Sequence, residues 1–201
     1  MGDAEVSTGI PGFSNYDFDR GELYLRLSTD KLDDLNFPHD GHYGSVEYSS
    51  SLEGLGADSS FDQVIFDALF AKSWGRNTLI AGGGFHTTLE SDAPPQNMFQ
   101  LGGLFNLSGY LQEELSGQHS GLLALAYMRR IHESKLMPVY IGASLESGNV
   151  WQDKDDIDFD SLITAGSLFF GIDTFLGPIY LGYGLAEEGR DSFYFYLGQI
   201  F

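Results

Sequence analysis

From Leu162 to Phe201 the chain reads as three strands joined by tight turns, with apolar side chains on every second position. Ile179, Leu181, Tyr183 and Leu185 share one face, while Tyr180, Gly182 and Gly184 take the other. The last run repeats the pattern, with Phe193, Phe195, Leu197 and Phe201 on one side and Tyr194, Tyr196 and Gly198 on the other. A two-residue period is strand geometry, because successive side chains leave a strand on opposite faces. One face is apolar and the other small or polar, so the sheet has to meet two different media. Periodicity alone does not assign them: a soluble barrel buries its apolar face, and a membrane barrel turns it to lipid.

Other features favour lipid. Gly142, Gly166, Gly171, Gly182 and Gly184 lie inside strand patterns, where glycine weakens a soluble sheet. Trp74, Trp151, Tyr110, Phe175 and Tyr196 fall near strand ends and suit interfacial aromatic girdles. No apolar run approaches the roughly 20 residues of a spanning helix, so a helical membrane protein is excluded and closed β-structure is left.

Turn clusters divide the chain into about ten strands, at 20–29, 42–55, 61–73, 77–90, 97–106, 119–131, 137–149, 161–172, 176–187 and 191–201. The expected fold is all-β, an antiparallel up-and-down meander forming the carboxy-terminal portion of a transmembrane barrel. Connections after 187, 149, 106 and 29 are mostly long or acidic, with the short Trp74 to Arg76 link an exception. Those after 172, 131, 90 and 55 are short to medium and carry turn residues. Outer-membrane barrels show such alternation between external loops and periplasmic turns. Met1 to Asn15 has neither the basic stretch nor the apolar core of a secretory signal. Residues 1–18 are therefore expected to be a flexible lead-in, residues 19–201 the barrel part, and the whole a piece of a longer protein.

Composition removes several function classes. The net charge of -19 leaves no basic patch for nucleic acid. The absence of cysteine excludes thiolate metal sites and a disulfide framework. His39, His42, His86, His119 and His132 are scattered without zinc spacing. The acidic run Asp153 to Asp160 lacks the glycine a calcium loop needs at its sharp turn, and reads as a solvated external loop. No cofactor or metal is expected. His119-Ser120 ahead of an apolar strand keeps open a barrel that hydrolyses lipid, which needs an acid on the same face. A soluble barrel holding a small apolar ligand is the remaining alternative.

Local phrases carry a resemblance. Phe99-Gln100-Leu101-Gly102-Gly103, Leu107-Ser108-Gly109-Tyr110, the run from Gly142 to Trp151, the run from Gly171 to Leu181 and the closing Tyr196-Leu197-Gly198-Gln199-Ile200-Phe201 together resemble the bacterial surface-antigen barrel superfamily. That superfamily includes the BamA insertase and the TpsB transporters of two-partner secretion. The Leu-Ser-Gly-Tyr form, and the Asp30 to Gly41 stretch with Phe37-Pro38, look most like the barrels behind patatin-like phospholipases, the type Vd autotransporters.

The resemblance implies a bacterial outer-membrane barrel of about sixteen strands, with a POTRA module and an amino-terminal passenger upstream. It implies that Leu107, Ser108, Gly109 and Tyr110 form a loop folded back into the lumen. Ser108 stands where most members have the arginine of an Arg-Gly pair. Glu146, on the polar face of its strand, is a possible partner for that loop. Phe193, Phe195, Leu197, Gly198 and Phe201 form the candidate assembly signal, read by the barrel assembly machinery through strand addition. Expected partners are outer-membrane lipid and lipopolysaccharide, the assembly machinery and the passenger, with a homodimer possible through unpaired edges. No Gly-x-Ser-x-Gly elbow occurs, so the implied lipase chemistry lies outside this chain and no catalytic residue is named.

Overall fold

The structure is a computed structural model and describes residues 2–4, 16–18, 21–132 and 137–198. Its strands in chain order are β1 (Gly2–Ala4), β2 (Tyr16–Phe18), β3 (Glu22–Asp30), β4 (Asp40–Ser51), β5 (Phe61–Trp74), β6 (Asn77–Leu89), β7 (Phe99–Leu101), β8 (Leu115–Gly117), β9 (His119–His132), β10 (Val139–Trp151), β11 (Ile163–Thr174), β12 (Gly177–Ala186) and β13 (Arg190–Leu197). Nine of them form one antiparallel sheet in the order β13-β12-β11-β10-β9-β6-β5-β4-β3. Two short pairs, β1 with β2 and β7 with β8, stand apart from it. Among the described residues β3 and β13 are the sheet's edges.

The two faces are inverted relative to a soluble sheet. Leu145, Leu168, Leu185, Phe193 and Phe195 are exposed on the outer face, while Ser144, Glu146, Ser167 and Tyr194 are buried on the inner one. The long strands match a bilayer: β5 and β9 have 14 residues each. At about 3.3 Å per residue and a tilt of about 45°, such a strand crosses roughly 30 Å, the thickness of the hydrocarbon layer. The edge strand follows the same rule. Leu23, Leu25 and Leu27 lie outward, opposite Ser50, Tyr48 and Val46, while Arg26 faces Glu47 on the inner side.

The expected meander holds, with one correction. Residues 97–106 are not a strand of the main sheet, because within them only Phe99–Leu101 forms a strand and it pairs with β8. The whole stretch between β6 and β9 leaves the sheet, and β6 pairs directly with β9, Thr87 opposite His119 and Asn77 opposite Arg129. Its Gly102-Gly103 pair, both at positive φ, breaks extension at the point where the chain turns inward.

Removing one strand exchanges the two ends of everything upstream of it. The tight Trp74 to Asn77 turn now sits at the end that carries the Thr174 to Gly177 turn, so it is no exception. The 31–39 connection moves to that same turn end, and the 52–60 connection moves to the end with the long loops. Three of the aromatics read as girdle residues are also corrected, since Tyr110 and Trp151 are buried inside and Tyr196 lies inward, stacked on Tyr194, whereas Trp74 and Phe175 are exposed.

Candidate functional site in the lumen

Two segments fold onto the inner face of the sheet from opposite ends. The first lies between β6 and β9 and enters from the loop end. Its tip is tightly wound: Gly102 N donates to Asn106 O at 2.7 Å, Asn106 N to Gly103 O at 3.1 Å and Tyr110 N to Leu107 O at 3.3 Å. Phe105 and Leu107 are both held at positive φ, a conformation unfavourable for large side chains that persists only where the surroundings fix it.

Those surroundings are specific. Ser108, fully buried, donates its backbone N–H to Glu146 Oε2 at 2.6 Å and its hydroxyl to Glu146 Oε1 at 2.8 Å. Phe105 N in turn donates to Ser108 Oγ at 3.1 Å. Glu146 comes from β10 and also accepts from Ser144 Oγ, which is 2.6 Å from Ser167 Oγ on β11. From β13, Tyr194 OH receives Gly109 N–H at 2.7 Å and donates to Tyr110 O at 2.7 Å. Ser192 Oγ donates to Gly109 O at 3.1 Å. Arg190 pairs with Glu114 and lies 4.2 Å from the centre of the Tyr110 ring. The segment is thus tied at once to β10 and to the edge strand β13. Charge-assisted bonds to a buried carboxylate are stronger than neutral ones, and Glu146, only 2% exposed, receives three.

Close approach requires glycine on both sides of this contact. A Cβ on Gly184 of β12 would lie 2.6 Å from Gly109 N, and one on Gly109 would lie 2.7 Å from Ala186 N. Some of the strand glycines therefore clear space for the in-folded segment, which sequence patterning does not reveal.

The second segment, 31–39, enters from the turn end. Phe37, 2% exposed, sits between two tyrosine rings, 4.5 Å from Tyr140 and 4.8 Å from Tyr180, stacked on both. Asp34 Oδ1 accepts from the N–H groups of Asn36 and Phe37, and Tyr180 OH donates to Asn36 O at 2.5 Å. His39 Nε2 lies 3.0 Å from Tyr140 OH, and its Nδ1 is 3.7 Å from Asp33. Burial, and then the nearby charge of Arg130, push the His39 imidazole below its ordinary value against the opposing pull of Asp33, Asp34 and Asp173. Burial works against ionisation of Asp33, but the N–H donors of Asp40 and His39 overcome it and hold its carboxyl below the usual range. The sequence marked Phe37 only within a family-like stretch. An isolated Phe-Pro in a loop carries no sign that two tyrosines on distant strands will receive it.

The remaining candidates fall as follows. Phe193, Phe195 and Leu197 point outward on β13 and are exposed, Gly198 has φ of 110° just beyond it, and Phe201 lies outside the described residues. His119 and Ser120, as successive strand residues, leave β9 on opposite faces. His119 Nδ1 is 2.7 Å from Thr87 Oγ1, whereas Ser120 faces the lumen directly across from His86. The 153–160 run forms short turns in which Asp158 accepts from Asp160 N. Among the described residues no group of three or more His, Asp or Glu side chains converges on a metal position.

An open sheet that is apolar outside and polar inside, with both segments packed within, defines an outer-membrane β-barrel protein. A model of the Omp85 superfamily domain matches residues 14–201, and the chain belongs to that superfamily. Among solved structures it is similar to BamA from Haemophilus ducreyi lacking POTRA domains 1-3, with a TM-score of 0.72 at 14% identity, covering 92% of this chain and 43% of that one. The likeness is one of fold, and this chain spans less than half the length of that neighbour. No curated protein matches the sequence.

Proposed function

We propose that this chain is the carboxy-terminal wall of an outer-membrane barrel that moves polypeptide, and that the complete protein uses it to anchor and translocate an amino-terminal passenger. The observation that carries the reading is the double tie of the Leu107 to Tyr110 loop, to Glu146 on β10 and to Tyr194 on β13. A lumen segment fixed to an edge strand couples what occupies the lumen to the strand that must pair for the barrel to close. The Leu-Ser-Gly-Tyr form of the loop favours a patatin-like lipase as passenger, within type V secretion, with all lipase chemistry outside this chain. The likeness to a BamA barrel supports an insertase or two-partner transporter at least as well. In either case the outer face meets outer-membrane lipid and lipopolysaccharide, and β13 is the edge offered to the assembly machinery or to a second copy.

The complete reading frame, expressed in a bacterial outer membrane, tests this. Surface proteolysis is expected to release an amino-terminal passenger, and Glu146→Ala is expected to reduce its display while the barrel still inserts. A reading frame with no passenger discards the anchor role in favour of the insertase type. Undiminished display in Glu146→Ala discards the lumen loop as its determinant.

A further inference from the structure

Most of the inner wall is polar or glycine, but one part is not. On β9, Leu122, Ala124, Ala126 and Met128 face inward while Leu123, Leu125 and Tyr127 face outward, so this strand is apolar on both sides. Ile80 of β6 and Leu69 of β5 continue the inward patch. They line a cavity of about 630 Å³, within the roughly 300–1,000 Å³ range of small-molecule sites. Toward the turn end the cavity is lined by Phe37, Leu104 and Phe169, which belong to one buried cluster. Such an apolar wall gains nothing from facing a water-filled lumen, and covering it with hydrocarbon is favourable in proportion to the area removed from water.

The other end of the cavity is polar. Asp67 Oδ1 lies 2.9 Å from His86 Nε2, and Ser120 is opposite His86 on the neighbouring strand. A Cβ on Gly84 would stand 2.6 Å from Asp67 Oδ1 and 2.9 Å from His86 Nε2, so the glycine makes room for the pair. Phe99 of the in-folded segment packs on the imidazole, its ring centre 5.2 Å away. The contacts that hold the Leu107 to Tyr110 loop use none of these groups. The stretch of β6 from Ile80 to His86 spans about 20 Å at about 3.3 Å per residue, enough for an extended hydrocarbon chain with its head at His86.

We propose that this cavity binds one single-chain amphiphile with an uncharged hydroxyl-bearing head, its tail along β9 and its head hydrogen-bonded at Asp67, His86 and Ser120. Charge selects the head. Among the described residues, the charged or titratable side chains lining the cavity are Asp30, Asp67 and His86, together with the Tyr43 and Tyr180 hydroxyls, and no lysine or arginine is among them. An anionic head would meet the Asp67 carboxylate, and the neighbouring cation, Arg26, is already engaged by Tyr43 OH and Glu47, whereas a hydroxyl can donate to Asp67 and accept from Ser120.

The test uses the full chain, folded in detergent and checked by heat-modifiable mobility, with 1-monododecanoylglycerol and sodium dodecanoate as probes read by native mass spectrometry. A saturable one-to-one adduct is expected with the monoglyceride and at least tenfold less with dodecanoate. Ala126→Trp, which fills the cavity, is expected to abolish the adduct. Leu125→Trp, one residue away on the outer face, is expected to leave it. His86→Ala is expected to weaken it about tenfold, the scale of one lost hydrogen bond. Should Ala126→Trp fail to fold, Ala124→Phe gives the same reading. The proposal is overturned by the absence of a saturable adduct, by equal binding of dodecanoate, or by an adduct that survives in the cavity-filled variant.

Discussion

The two in-folded segments reach the same inner wall by different physics. The 31–39 segment inserts a single aromatic ring between two others, and its polar contacts lie around the rim of that insertion. The Leu107 to Tyr110 loop presents a buried serine and two backbone N–H groups to a carboxylate and a tyrosine hydroxyl. An aromatic peg tolerates small shifts, because dispersion and burial are non-directional. A hydrogen-bonded latch fixes position and orientation, and loses much of its strength when one partner goes, because the buried group left behind is unsatisfied. The peg is therefore suited to closing one end of the lumen, and the latch to defining a register between the loop and the strands β10 and β13.

The largest expected effect breaks the peg. Phe37→Ala should weaken attachment of 31–39 by about 3–5 kcal/mol, the usual cost of removing a buried phenylalanine. Limited proteolysis of the detergent-folded protein should then cut between Asp30 and Asp40, where the unaltered protein resists. Resistance in the variant would show that the rim contacts suffice without the ring.

Next comes the latch. Glu146→Ala leaves the Ser108 N–H and hydroxyl without their acceptor, at a cost of about 2–3 kcal/mol. Hydrogen exchange should accelerate at Leu107 to Tyr110 while the amides of β4 and β5 are unchanged. Glu146→Gln, which can still accept one bond, should lie between the two. A smaller effect is expected for Gly184→Ala, which forces the loop off the wall at about 1–3 kcal/mol by overpacking. It should accelerate exchange at Ser108 and Gly109 without altering proteolysis of 31–39. If Gly184→Ala instead loosened the peg, the two attachments would be one cooperative unit.

The sheet was more legible than what packs within it. Strands β4 to β6 and β10 to β13 appear in the sequence to within a few residues because lipid outside and a largely polar lumen inside impose alternation, and a slip of one residue would invert every side chain; β9 is bounded instead by its flanking turn residues. The segment 97–106 misled for the same reason. Phe99-Gln100-Leu101 alternates and does form a strand, but a short one paired with Leu115–Gly117 rather than with the sheet. Counting 97–106 as a sheet strand reverses the ends of all earlier connections and leaves the short Trp74 to Arg76 link as an anomaly. The partners of the peg were hidden because Tyr140 and Tyr180 look like any inward aromatics, and their convergence on Phe37 depends on strand register, which connects residues 144 positions apart through the Tyr180 to Asn36 bond. The inward apolar patch on β9 corresponds to the run Leu122 to Tyr127, which breaks alternation, but such a run does not by itself place the patch over a cavity.

The smallest expected effect separates the two attachments by pH. His39 lies at the rim of the peg with Tyr140 OH beside Nε2, and it faces Arg130 as well as Asp33, Asp34 and Asp173. With Nε2 accepting from Tyr140, the neutral ring keeps its Nδ1–H toward Asp33, and a proton on Nε2 would remove that acceptor. Because burial and then Arg130 depress the folded value, the unfolded state binds the proton more readily. The contribution is therefore complete above the unfolded value of about 6.5 and is lost as pH falls through it toward the lower folded value. Proteolysis between Asp30 and Asp40, followed from pH 8 to pH 5, should quicken in the acid range while exchange at Ser108 and Gly109 holds steady. His39→Gln should flatten that profile. A pH response of equal size at both segments would mean that protonation acts on the sheet they share, not on the peg.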